Sequence, residues 1–487
     1  VYQEPGSPSG PHGDGAPAPA ATAGERQDQP ARDRRPACRR TPRVFGRGDR
    51  RVTREQITAA IRQVLTERLN NRHLDGFCPQ SRLNADLYLD SVLMLDLLLH
   101  LELDHGIPVP EAAVAATAID TVSDLVELLA GSSPAASSAS DTAVVDAPDV
   151  HADVYPDIKV HCVVSCLCDA VKAAGLDHRP MYFGLWDADF AVSDKLQLRY
   201  HTDQISHGFF CQWFEQLYGV HITEWYDHSA PKQANLDRLM ALVAARQQTE
   251  SLMVMLDMFH LPERENKFNQ NPFPHYLMVE ATEDPEIWQI RDPDFRWEGP
   301  IAKDRILNAV AQPSVAGGYV FDRRSIRLPT AADIGDYFLA CFISDDNPLI
   351  RRIREVVDAH LGCRDGLRLQ ALGDAVRELP VLSIRKWAYE HGFAFFWREL
   401  ELPNDAFLTW CDRIEELALG LPALHLKILR LAQTEDRACA ADINQALDHL
   451  DALETAIKAK LREVFIAWCN HQGLTQAMPR ERRVGVR

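Results

Sequence analysis

Apolar positions along the chain change period several times, and the changes divide it. From about 52 to 131 the spacing is helical: Thr53 with Gln56 three residues on has the form of a capping box, and Ile57, Ile61, Val64 and Leu65 follow as one stripe. A second stripe runs through Leu93, Leu95, Leu97, Leu98, Leu101 and Leu103 after Ser91. A last helix is predicted from Thr121–Val122 through Leu125, Leu128 and Leu129. From about 155 to 330 a helix is predicted after His161, and short β-like runs follow at Leu252–Asp257, Tyr276–Ala281 and Ile287–Ile290. Helical spacing returns from 331 to 475. There Asn347–Pro348 reads as an N-cap with proline at the first helical position. Ile443, Leu447, Leu450, Ile457, Leu461, Val464, Phe465 and Trp468 make a long stripe, read as domain core.

Between these blocks the pattern disappears. Residues 1–50 are rich in Pro, Gly, Ala, Arg and Asp and hold almost no large apolar side chains, so they cannot offset their own ordering entropy and read as a disordered tail. The run GSSPAASSASDTA marks 132–154 as a flexible linker, and 476–487 reads as a second tail. The predicted organisation is multidomain, with an all-α unit at 52–131, an α+β unit at 155–330 and a helical C-terminal region at 331–475.

Composition narrows the function classes. The 487 residues carry a formal net charge of -18, which disfavours nucleic acid and anionic membrane as partners. No apolar run approaches the ~18 residues of a membrane span, and no signal-peptide core is evident at the N-terminus. The 11 cysteines are odd in number and irregularly spaced, as expected of reduced thiols in a cytoplasmic protein.

Chemistry enters at LYLDSVLMLDLLLHLELDHGIPVP. Asp90-Ser91-Val92 ahead of an amphipathic helix, then Leu101-Glu102-Leu103 and Gly106-Ile107-Pro108-Val109-Pro110, resemble the acyl carrier and peptidyl carrier family. The resemblance implies a four-helix fold and 4'-phosphopantetheine bound covalently to Ser91 by a phosphopantetheinyl transferase. A serine at a helix N-terminus suits the added phosphate, because the helix dipole favours negative charge there. Leu89 and Val92 are expected to present the loop to partner enzymes, and Asp96, Glu102 and Asp104 to give the helix an acidic face.

Three further segments, HCVVSCLCDAVKAAG, VMLDMFHLPERENKFNQNPFPHYLMVEA and IWQIRDPDF, resemble the butirosin-biosynthesis H family and, beyond it, papain-like double-glycine leader peptidases. That resemblance implies a papain-like α+β fold with Cys162 at a helix start as nucleophile, His275 as its acid–base partner and Asp292 as the group orienting the imidazole. The residue types suit these roles, since the thiolate is the nucleophile and a helix N-terminus and a neighbouring imidazolium both favour it. Cys166, one turn on, is the alternative nucleophile and reads as core. The C-x3-C spacing at Cys162 and Cys166 with His161 nearby lacks a four-ligand zinc set. The peptidases place a Gln before the cysteine to build the oxyanion hole. Here the stretch is YPDIKV, which leaves a second donor unidentified and weakens proteolysis more than acyl transfer. Asp257, shared with the butirosin-type family, is open to a structural role or to binding an acceptor amine.

Together the two resemblances imply a carrier-fused acyltransferase of specialised-metabolite biosynthesis. An acyl or aminoacyl group supplied by a loading ligase or synthase would move from Ser91 through Cys162 to an amine or hydroxyl of a small-molecule acceptor. The alternatives are a cysteine thioesterase or peptidase, and a carrier joined to a non-catalytic docking domain.

Overall fold

The computed structural model describes residues 52–71, 73–84, 86–89, 91–110, 113, 119–131, 149–152, 160–202, 205–263 and 271–474. The two expected tails, most of the expected linker, and Asp90 lie outside them.

Among the described residues, the first segment is built from the helices α1 (Arg54–Glu67), α2 (Ser91–His105) and α3 (Val122–Leu129). Thr53 caps α1 as its sequence suggests. Its hydroxyl accepts from the Gln56 N–H, while the Gln56 side chain accepts from the Thr53 N–H. Thr121 and Asp124 repeat the device on α3. Residues 111–112 and 114–118, where a further helix of a four-helix set would fall, lie outside the described residues. Ile57, Ile61, Val64 and Leu65 meet Leu97, Leu98, Leu101 and Leu125 in one buried core.

Helix α2 carries leucine around most of its circumference, so it needs cover on more than one side. One side is the segment's own core. On another, Leu426 and Leu429 of the C-terminal helix Asn404–Thr434 pack against it, and Arg430 of that helix pairs with Glu102. Two expectations fail here. Leu89 is buried in this core rather than displayed, and Leu103 is exposed rather than part of the stripe. Asp96 sits partly buried near Arg377, and Asp104 pairs with Arg68 and His100. Part of the acidic face is thus already engaged.

The next region is organised by an antiparallel sheet. A short ladder of β1 (Ala191–Val192) and β2 (Leu198–Arg199) precedes it. The main sheet has six strands: β3 (Thr223–Glu224), β4 (Glu250–Asp257), β5 (Pro274–Ala281), β6 (Ile287–Asp292), β7 (Trp297–Ala302) and β8 (Gly318–Asp322). They run in the order β3-β8-β4-β5-β6-β7, every pairing antiparallel. Helix α4 (Cys162–Ala173) crosses one face over β5, and α5 (Gly208–Tyr218) packs beside α4. Helices α6 (Lys232–Ala245) and α7 (Lys303–Ala311) cover the other face. The strands alternate accordingly. Met253, Met255, Tyr276 and Met278 share a core with α4, while Leu252, Val254, Leu256, Leu277 and Val279 share one with Leu239, Val243, Ile306 and Val310. With both faces covered, β4 is apolar almost throughout.

The C-terminal region is helical: α8 (Ala331–Cys341), α9 (Pro348–Leu361), α10 (Leu379–Ser383), α11 (Ala388–Glu399), α12 (Asn404–Thr434) and α13 (Cys439–His471) are its main elements. The predicted stripe from Ile443 to Trp468 is buried along α13. Its core is continuous with that of α4, so these helices and the sheet region share one interior. Asn347 precedes Pro348 as predicted but makes no side-chain cap. Its amide donates instead to Asp451 and Thr455 on α13. A buried charge cluster ties the two regions: Lys386 meets Asp187 and Glu454, and Lys458 meets Asp187.

Candidate active site

The site forms where α4 begins. Cys162 is the first residue of the helix, and His161 is its N-cap, accepting through Nδ1 from the Val164 N–H. The helix start is pinned from below: Asp294 accepts from the His161 N–H at 3.1 Å and from the Ser165 hydroxyl at 2.9 Å. The turn after β6 therefore fixes where Cys162 stands.

The same turn fixes His275. In the β5–β6 ladder Met278 faces Arg291, so the next rung sets Asp292 opposite Leu277, and His275 lies two residues along on the same side. Both side chains are buried, and His275 Nε2 donates to the two Asp292 oxygens at 3.1 Å each. Phe295 stacks on the imidazole, with ring centroids 4.9 Å apart. With Nε2 committed to Asp292, Nδ1 is the ring nitrogen left over, and the Cys162 sulfur is near enough to help raise the ring's pKa. Burial alone would hold the His275 pKa down, but Asp292 and Cys162 together raise it well above the usual histidine value. The arrangement favours an imidazolium beside the sulfur. The fold thus brings together the three side chains that the sequence names: Cys162, His275 and Asp292.

Cys166 does not share this setting. It is fully buried with its Sγ directed at the Tyr276 carbonyl, and burial, with Asp292 and Cys162 adding, pushes its thiol well up. Asp257 is also accounted for. Its Oδ1 accepts from the Phe259 and Phe273 N–H groups and its Oδ2 from the Ser314 hydroxyl, so it braces the loop between β4 and β5 rather than facing an acceptor. Every cysteine among the described residues is a free thiol. No cluster of three or more His, Cys, Asp or Glu among them is placed to hold a metal, and no described helix is long and apolar enough to cross a membrane.

Cys162 and His275 open into a cavity of about 140 Å³. Tyr200, Phe273, Tyr276 and Phe295 give it aromatic walls, and Val381, Ile384 and Arg385 close it from the C-terminal region. His161 and His207 also line it, and both are held neutral. Burial, followed by Arg385 and the neighbouring histidines, puts His161 well below the usual value, and burial with His201 and Arg385 takes His207 down to about 3.

Residues 157–326 match the model of the DUF6005 N-terminal domain, and residues 332–482 match the DUF6005 C-terminal domain. Over 312 residues the chain is 40% identical to petrobactin synthase of Bacillus anthracis, an alignment covering 64% of this chain and 95% of that protein. The chain belongs to the petrobactin synthase family. A second relative, acyl carrier protein AsbD of the same organism, is 35% identical over 78 residues, 16% of this chain and 86% of that protein. In this member of the petrobactin synthase family, a carrier and an enzyme region are therefore joined in one chain.

Some residues of this petrobactin synthase relative carry no signal in the sequence pattern. Asp294 and Phe295 lie in the quoted segment IWQIRDPDF, yet their roles depend on a turn that faces α4 on one side and His275 on the other. Arg385 lies more than 200 residues beyond Cys162 in an apolar stretch that reads as core.

Proposed function

We propose that this chain is a carrier-fused acyltransferase acting in siderophore biosynthesis of the kind its relatives' names indicate. In this reading, residues 52–131 form a four-helix carrier domain, 155–330 a papain-like domain and 331–475 the helical wall of its pocket. The observation that carries it is Cys162 at a helix start against a His275 gripped by Asp292, opening into a partly aromatic cavity.

The residues at the carrier end fit 4'-phosphopantetheine. Ser91 is the first residue of α2, whose first turn contains no acidic side chain, so the positive end of the helix dipole suits a phosphate on that serine. The arm supplies the acyl group as a thioester. Cys162 sulfur attacks the acyl carbon, the old carbon–sulfur bond breaks, and the departing thiolate takes the His275 proton. An acceptor amine then attacks the acyl-Cys162 carbonyl and gives its proton to His275, and the Cys162 thiolate leaves. The helix N-terminus supplies one backbone N–H for the oxyanion. The contact between α2 and α12 supports a carrier that serves its own chain.

The test is product formation from loaded protein and a panel of amine acceptors. Cys162→Ala and His275→Ala are expected to leave the acyl group on the carrier. Amide formation at the wild-type rate by Cys162→Ala would instead make the second region a docking module. Release of free acid in place of amide would favour the thioesterase.

A further inference from the structure

The cavity beside Cys162 contains a cation that the proposed acyl transfer does not use. Arg385 is 7% exposed and lines the cavity from the turn after α10. Its Nη1 donates to the carbonyls of Ala188 and Asp189 and its Nη2 to that of Tyr200. No carboxylate among the described residues pairs with it. A guanidinium has five N–H donors, and these three contacts fix the plane of the fork while leaving donor capacity over. The cavity's own carboxylate, Asp294, is committed to the His161 N–H and the Ser165 hydroxyl.

Burying an unpaired charge costs several kcal/mol even after relaxation. The Cys162 sulfur and the side chains of Asp189 and Tyr200 act on Arg385 only at range, and its pKa falls to about 10, chiefly through burial. The histidines beside it, His161 and His207, stay neutral and add no further charge. Next to the nucleophile the cavity therefore holds a fixed guanidinium with no carboxylate partner among the described residues, a planar fork of the shape that grips carboxylates.

We propose that Arg385 is a specificity residue that binds a carboxylate of the substrate beside Cys162. The idea rests on the acyltransferase reading of that cysteine. The carboxylate belongs either to the acyl group or to the acceptor, and the two sources separate kinetically. If it is on the acyl group, Arg385→Gln slows movement of the acyl group from Ser91 to Cys162. If it is on the acceptor, that step is unchanged and the acceptor's KM rises.

The site can be tested before either substrate is known. Full-length protein is alkylated with iodoacetate or iodoacetamide, and Cys162 is followed by peptide-resolved mass spectrometry. Dividing the two rates cancels any change in the thiol itself and leaves the preference for a carboxylate. Arg385→Gln is expected to lower the iodoacetate-to-iodoacetamide ratio by about tenfold, as loss of a charge-assisted pair implies, while Arg385→Lys retains most of it. In the wild type, benzoate is expected to protect Cys162 from iodoacetamide better than benzamide does, a comparison that needs no variant to fold. An unchanged ratio in a folded Arg385→Gln, or equal protection by benzoate and benzamide, overturns the subsite. If Cys162 reacts with neither reagent, the nucleophile reading fails. Calorimetric binding of benzoate to Cys162→Ala, present or absent, then decides the subsite on its own.

Discussion

Replacing Asp292 by Asn removes the charge that keeps His275 protonated while preserving shape. The carboxylate oxygens stand 3.1 Å from Nε2, and both residues are buried. At an effective dielectric of 20, opposite charges at that distance attract by about 5 kcal/mol. That attraction strongly favours the imidazolium. Asparagine keeps an acceptor but not the charge, so the imidazolium loses its main support. The sign follows from the opposing effects: burial depresses the imidazolium and Asp292 raises it, so the variant's His275 titrates lower. The assay is the pH profile of Cys162 acylation by a small thioester, whose alkaline limb reports the imidazolium that protonates the leaving thiolate. Asp292→Asn should move that limb down and reduce the acylation rate by about a hundredfold or more. A limb that stays within half a unit of the wild type would refute the assigned role of Asp292.

Other perturbations test the surrounding structure. Glu454→Ala strips Lys386 of one buried partner, and breaking such a pair costs about 3–5 kcal/mol, which urea unfolding should register; a loss below 1 kcal/mol would count against the cluster as a clamp. His207 and His425 are buried with pKa values lowered from 6.5 to about 3 and about 4. Their neutral forms cost nothing above pH 6.5, but as pH falls toward those values the unfolded chain binds protons that the folded one refuses. Stability should decline by about 1.4 kcal/mol per pH unit for each histidine in that window, and His425→Leu should make the fall in Tm with acid less steep. Arg430→Glu places like charges at the α2–α12 contact and should raise hydrogen exchange in α2 and around Leu426 while leaving the sheet strands unchanged.

The candidate residues were legible in part because each stands at the end of a local element. Periodicity and residue type show a cysteine at a helix start, a histidine opening a strand and an aspartate closing the next one. It was the resemblance to the butirosin-biosynthesis H family that singled these three out, and the β5–β6 register places the last two on one side. Asn347 shows where residue type alone misleads: it precedes Pro348 as read, but its amide goes to α13 rather than to the helix start. Asp257, open from the sequence to a structural or an acceptor-binding role, is engaged in structural contacts. Arg385 was invisible because its position on a buried turn resembles core packing, and only the cavity makes its charge unusual. The docked carrier left one trace in the sequence, leucine on too many sides of α2, which a single-stripe reading forces onto one face.

The central claim is that an acyl group passes from Ser91 to Cys162. Ser91 would be loaded with a panel of acyl-pantetheine groups, and the masses of the Ser91 and Cys162 peptides followed over time without an acceptor. The account expects the acyl mass to leave the Ser91 peptide and appear on the Cys162 peptide for at least one member of the panel, and His275→Ala to prevent it. An acyl group that reaches amide product without ever appearing on Cys162 would contradict it.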